Sequence, residues 1–172
     1  MRNFFIIFAL ISFSNLTFSQ KEKATKSKTW DVNNPHKDWY YKNFNLKTDE
    51  GTWMNLDISP DGETIVFDML GDIYTMPITG GKATALRTGL AYEVQPRYSP
   101  DGTYISFTSD AEGGNNIWVM TADGTNAKAI TKEKFRLLNN AVWTPDGKSL
   151  VARKHYTSQR SVGAGEMWQY PL

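Results

Sequence analysis

The chain has 172 residues, 40% of them hydrophobic and 22% charged, the balance of a folded domain rather than of a disordered segment. With 19 basic and 18 acidic residues the net charge is +1, which gives no electrostatic ground for binding nucleic acid or an anionic membrane. No cysteine occurs and only two histidines, His36 and His155, so the composition excludes disulfides, thiolate chemistry and a histidine-rich metal centre in these residues.

Residues 1–19 read as a signal peptide. Arg2 precedes an apolar run from Phe4 to Phe13, and Thr17-Phe18-Ser19 offers small residues for cleavage before Gln20. The run is too short to span a membrane, and no cysteine follows it to carry a lipid. Cleavage there leaves 18 basic and 18 acidic residues and places the mature chain in the periplasm or outside the cell. Residues 20–43 read as a leader: a lysine-rich polar stretch to Thr29, then Trp30, Trp39, Tyr40 and Tyr41 around Pro35, an irregular segment expected against an apolar surface. The alternation from Phe44 to Thr48 predicts a strand at the start of the region 44–172.

Three copies of one turn follow: Ser59-Pro60-Asp61-Gly62, Ser99-Pro100-Asp101-Gly102 and Thr144-Pro145-Asp146-Gly147, 40 and then 45 residues apart. Proline fixes φ, aspartate bonds back to the local backbone, and glycine takes the left-handed conformation, as a short hairpin requires. Ile58, Tyr98 and Trp143 close the strand before each turn. Thr64–Phe67, Tyr104–Phe107 and Ser149–Ala152 form the strand after it. A third strand comes as Asp72–Met76, Asn116–Met120 and Glu166–Tyr170, whose apolar-aromatic pairs predict burial on both faces. Second hairpins at Thr79-Gly80-Gly81 and Ala122-Asp123-Gly124 lead to outer strands at Ala83–Leu86 and Ala127–Thr131. No stretch shows helical periodicity. Four-stranded units at this period are the blades of an all-β propeller, with repeats at about 53–92, 93–138 and 139–172. The third repeat ends after its third strand, and rings close with roughly four to eight blades. The sequence therefore predicts a partial β-propeller belonging to a longer polypeptide, poorly soluble or oligomeric by itself.

The order Pro96-Arg97-Tyr98-Ser99-Pro100-Asp101-Gly102, Ile105–Asp110, Asn116–Met120, Ala122-Asp123-Gly124 and Ile130-Thr131 resembles the TolB-type WD-like propeller repeat. The runs Thr52–Pro77, Lys134–Asn140, and Ala152–His155 to Gly163–Trp168 are similar to the amino-terminal propeller of exported bacterial amidohydrolases. That likeness implies a metal-dependent (β/α)₈ barrel elsewhere in the parent protein, with zinc or another divalent ion held by a His-x-His pair. No His-x-His and no Gly-x-Ser-x-Gly occurs in these residues, so the resemblance assigns this chain neither a catalytic residue nor a cofactor.

Asp61, Asp101 and Asp146 are accounted for as turn formers, and the Asp110–Asn116 loop lacks the acidic spacing of a calcium loop. The stretch with functional promise is Arg153 to Glu166. Alternating strand direction brings the second-to-third-strand loops and the blade-to-blade loops out on one face. The loop His155–Gly165 is far longer than its counterpart Asp68–Gly71. With Lys132–Asn140 beside it, Arg136, His155, Arg160 and Glu166 are expected to form a docking or gating surface. The bland alternative is a solvated loop in which Glu166 pairs with a neighbouring arginine. Expected partners are further blades and a hydrolase domain of the same protein, or another envelope protein. The alternatives are a free TolB-like module for envelope protein–protein contacts, with no enzyme attached, and a propeller attached to a serine peptidase.

Overall fold

The computed structural model describes Val32, Pro35 and residues 45–157 and 164–172. Eleven strands and no helix occur among them: β1 Leu56–Ile58, β2 Thr64–Met69, β3 Asp72–Pro77, β4 Thr84–Arg87, β5 Glu93–Tyr98, β6 Tyr104–Ser109, β7 Asn116–Thr121, β8 Lys128–Ala129, β9 Leu138–Trp143, β10 Ser149–His155 and β11 Gly165–Pro171. They form three antiparallel meanders, β1-β2-β3-β4, β5-β6-β7-β8 and β9-β10-β11, one per repeat.

Each first hairpin closes by the same local chemistry. In the first copy the Ser59 hydroxyl donates to Asp61 Oδ1 at 2.5 Å, and Glu63 N–H donates to the same oxygen at 3.0 Å. Gly62 N–H bonds Ser59 O at 2.8 Å with φ of 77°, the left-handed position that favours glycine. Ser99–Asp101–Thr103 and Thr144–Asp146–Lys148 repeat the pattern. These bonds hold the three carboxyls below the ordinary aspartate range, the hydroxyl donor contributing most and the backbone N–H next.

The sheets stack face to face. Val66 and Ile73 of the first sheet meet Ile105, Phe107, Trp118 and Met120 of the second, with the Phe107 and Trp118 rings 6.3 Å apart. Ile117 and Val119, on the other face of β7, meet Leu138, Ala141, Leu150 and Ala152 of the third sheet. Each large side chain buried at these junctions contributes about 1.5–3 kcal/mol. Polar groups are matched as well. Arg87, at the end of β4, clamps the buried carboxylate of Glu93 on β5 with bonds of 3.1 and 2.8 Å. The Trp143 indole N–H reaches back to Arg97 O at 3.0 Å.

Three expectations change. Residues Asn45–Thr48 are irregular rather than a strand, and Phe44 lies outside the described residues. The segment lies along the outer face of the first sheet, lining a groove of about 930 Å³ with Phe67, Met69, Tyr74 and Met76. Its Thr48 side chain bonds the Glu50 backbone, a local turn contact rather than a ladder bond. The outer strand of the second repeat shrinks to the two residues of β8. The apolar-aromatic pair of β11 is not buried on both faces: Met167 is 64% exposed on the face beyond which no described sheet lies, and Trp168, opposite Ala152 on the face toward the second sheet, is still 44% exposed. The signal-peptide residues and all of the leader except Val32 and Pro35 fall outside the described residues.

Candidate functional site

The meander order gives the arc two unlike faces. The turns β1–β2, β3–β4, β5–β6, β7–β8 and β9–β10 are tight and polar, and Ile78 is their one exposed large hydrophobic residue among those described. The opposite face holds the loops β2–β3, β4–β5, β6–β7, β8–β9 and β10–β11 and the approach to β1. It carries Trp53, Leu70, Leu90, Tyr92, Phe135 and Tyr156, each more than half exposed. Apolar side chains gathered on one face and rimmed by charge are the composition of a protein-docking surface.

Arg136 organises the corner of this face between the second and third sheets. Its Nε–H donates to His155 O at 2.6 Å, its terminal nitrogen bonds Glu166 Oε2 at 3.2 Å, and its guanidinium lies 5.3 Å from the Tyr156 ring centroid. The Trp168 indole N–H donates to the same Glu166 oxygen at 2.9 Å. The Trp168 bond first and Arg136 second hold the Glu166 carboxyl below the ordinary glutamate range. Lys154 pairs with Glu133 and sits 4.6 Å over the Trp168 ring. Two backbone bonds, Leu137 N–H to Thr157 O at 3.0 Å and His155 N–H to Leu137 O at 2.9 Å, fasten the blade-to-blade loop to the long loop.

Of the four expected surface residues, the structure brings together Arg136, His155 and Glu166, and Arg160 lies outside the described residues. His155 needs correction as a surface group. Its side chain is buried, with Nε2 3.3 Å from Asn139 Oδ1, and its carbonyl takes the Arg136 Nε–H. Glu166 is exposed and paired with Arg136, as the bland reading had it. Charge-based reading overlooked Leu70, Leu90, Tyr92 and Phe135. Their signal was present: large apolar residues at loop positions of a repeat whose other turns are polar.

Among the described residues no group of three or more His, Asp or Glu side chains is placed to share a metal ion. What the fold defines is a segment of β-propeller whose two ends differ in loop length and in exposed apolar side chains.

Residues 54–170 match the tricorn protease N-terminal beta propeller domain, and the chain belongs to that family. An uncharacterized protein of Agrobacterium fabrum is 37% identical over 81 residues, which are 45% of this chain and 28% of that protein. Tricorn protease homolog 1 of Streptomyces coelicolor is 32% identical over 92 residues, 54% of this chain and 9% of that protein. The solved structure of a putative TolB from Agrobacterium tumefaciens superposes with a TM-score of 0.57 at 29% identity, over 64% of this chain and 41% of that one. The chain thus spans less than half the length of each of these proteins.

Proposed function

We propose that this chain is the propeller scaffold of a larger exported hydrolase, and that its loop face is where the catalytic domain docks and is gated. The observation carrying this reading is the concentration of exposed Trp53, Leu70, Leu90, Tyr92, Phe135 and Tyr156 on the loop face, where the tight-turn face exposes only Ile78 and Leu172 beyond its strand ends among the described residues. A rigid stack of sheets holding such a surface suits a domain that positions another and restricts access to it. The catalytic domain is a metal-dependent amidohydrolase barrel. Support comes from Lys134–Asn140 and Ala152–Trp168, whose likeness to amidohydrolase propellers falls on the stretches that build the Arg136–Glu166 corner. In this reading zinc or another divalent ion belongs to that barrel. Family membership and the relative named for tricorn protease favour a second reading, a peptidase as the catalytic partner. The apolar run after Arg2 supports export to the periplasm.

The intact polypeptide tests this in one set of assays. Loss of hydrolysis on chelation, with recovery on adding zinc, supports the amidohydrolase, whereas loss on treatment with a serine-directed fluorophosphonate supports the peptidase. Phe135→Ser and Leu70→Ser together are expected to change turnover and to uncouple the unfolding of the two domains. Unchanged turnover and unchanged co-operative unfolding would remove the docking face from the account.

A further inference from the structure

The inner strands of the second and third sheets carry the same irregularity. On β5, Gln95 and Pro96 stand opposite the single residue Phe107, and on β9, Asn140 and Ala141 stand opposite Ala152. The first residue of each bulge is left-handed, Gln95 with φ of 61° and Asn140 with φ of 54°. Such a bulge withdraws a backbone N–H from the ladder, and a buried N–H without an acceptor costs stability. In both sheets the acceptor arrives from the sheet before. Asp68 Oδ2 takes Gln95 N–H at 2.6 Å, and Gln95 Oε1 takes Asn140 N–H at 2.8 Å.

The two acceptors sit at different places in their sheets, and the residue types explain why. Asp68 on β2, Thr108 on β6 and Arg153 on β10 occupy the same position of the repeat, four residues after the start of the second strand. Asp68 has a carboxylate that spans the junction and also binds Asn55 N–H and Nδ2 at 2.9 and 2.8 Å. Thr108 is shorter. It donates instead to Gln95 Oε1 at 3.2 Å, steadying the longer amide that makes the crossing. Arg153 is a donor only and cannot accept an N–H. At the third sheet the acceptor role therefore passes to the inner-strand residue, as it did at the second.

We propose that Asp68, Gln95 and Asn140 form a relay that fixes the stagger between successive blades, and that Asn140 is its outgoing acceptor. Its occupant is the inner strand of a further blade of the same polypeptide, offering a left-handed N–H. Continuity of the interface carries that choice. Asn140 is exposed, Val142 and Met167 of the same sheet expose apolar surface, and the chain covers 41% of the length of a TolB structure with which it shares the fold. The proposal concerns ring assembly and stands whichever catalytic partner the loop face receives.

Amide hydrogen exchange on the intact polypeptide tests it. Gln95→Met keeps the volume and the left-handed backbone type but removes the acceptor, and is expected to speed exchange of the Asn140 N–H at least tenfold. Gln95→Glu, which keeps an acceptor as Asp68 does, is expected to restore most of the protection. Asn140→Gly relieves the left-handed backbone while removing the outgoing acceptor, and should expose one inner-strand N–H of the next blade. Asn140→Asp should keep that N–H protected. Equal exchange in the Met and Glu variants would overturn the relay. Protection lost in neither Asn140 variant would overturn its outgoing end, and Asn140-dependent protection that appears only with rising protein concentration would assign the face to a second copy instead.

Discussion

Strands β7 and β11 hold the same place in their repeats and share a motif, Asn116-Ile117-Trp118-Val119-Met120 against Glu166-Met167-Trp168-Gln169-Tyr170. Their surroundings could hardly differ more. Ile117, Trp118, Val119 and Met120 are all buried, one face on the first sheet and the other on the third, whereas Met167 and Trp168 stay open. Trp118 stacks on Phe107 in a core, while Trp168 sits under Lys154 and donates to Glu166 at the rim. An apolar residue in a propeller strand acquires its energetic value from the neighbouring blade, not from the strand that carries it.

The largest test of this comparison pairs the two indoles. Trp118→Ala removes a side chain packed in a closed junction and is expected to destabilise the intact polypeptide by about 3–5 kcal/mol. In urea unfolding the same change at Trp168, which is 44% exposed, should cost well under half as much. A loss at Trp168 matching that at Trp118 would show that this rim position is packed as closely as the junction, turning the contrast into an equivalence.

A smaller effect is expected from the two arginine–carboxylate pairs. Glu93 is buried and held by both Arg87 and Ser109, so Glu93→Ala strands a partly buried guanidinium and should cost about 3 kcal/mol. Glu166 is exposed, and Glu166→Gln should leave the unfolding midpoint close to that of the parent. Comparable midpoints for the two variants would refute the difference in burial between the junction and the rim.

The smallest effect is in pH. The turn carboxylates of Asp61, Asp101 and Asp146 are lowered in the folded state, and Asp123 is lowered to about 2, chiefly by the Thr121 hydroxyl and then by Thr125 N–H. A lowered folded value means that the contribution is complete above the ordinary aspartate range and is lost as pH falls toward about 2. Acid unfolding followed by tryptophan fluorescence should therefore steepen in that window, equally in the closed and the open repeats. Asp123→Asn should flatten its own share. Stability that rises on acidification would contradict this.

Much of the fold was legible because its determinants are local. The Ser/Thr-Pro-Asp-Gly turns carry their own hydrogen bonds, so Ser59, Ser99 and Thr144 fix hairpin positions without help from distant residues. Strand order and the unequal loop faces follow from that repeat, and so did the meeting of Arg136 with Glu166. The Asn45–Thr48 segment misled for the complementary reason: alternation describes a strand but does not say which edge, if any, the segment bonds.

What the amino-acid order determined by itself was the unit, a β-meander of fixed length closed by turns whose chemistry lies within a few residues. The packing of one sheet on the next decided the rest: that His155 turns inward, that Asp68 and Gln95 reach across junctions, and that Trp118 is core while Trp168 is surface. Burial is a property of pairs of sheets. A side chain's water is displaced only by what lies opposite, and no spacing along a single strand records that.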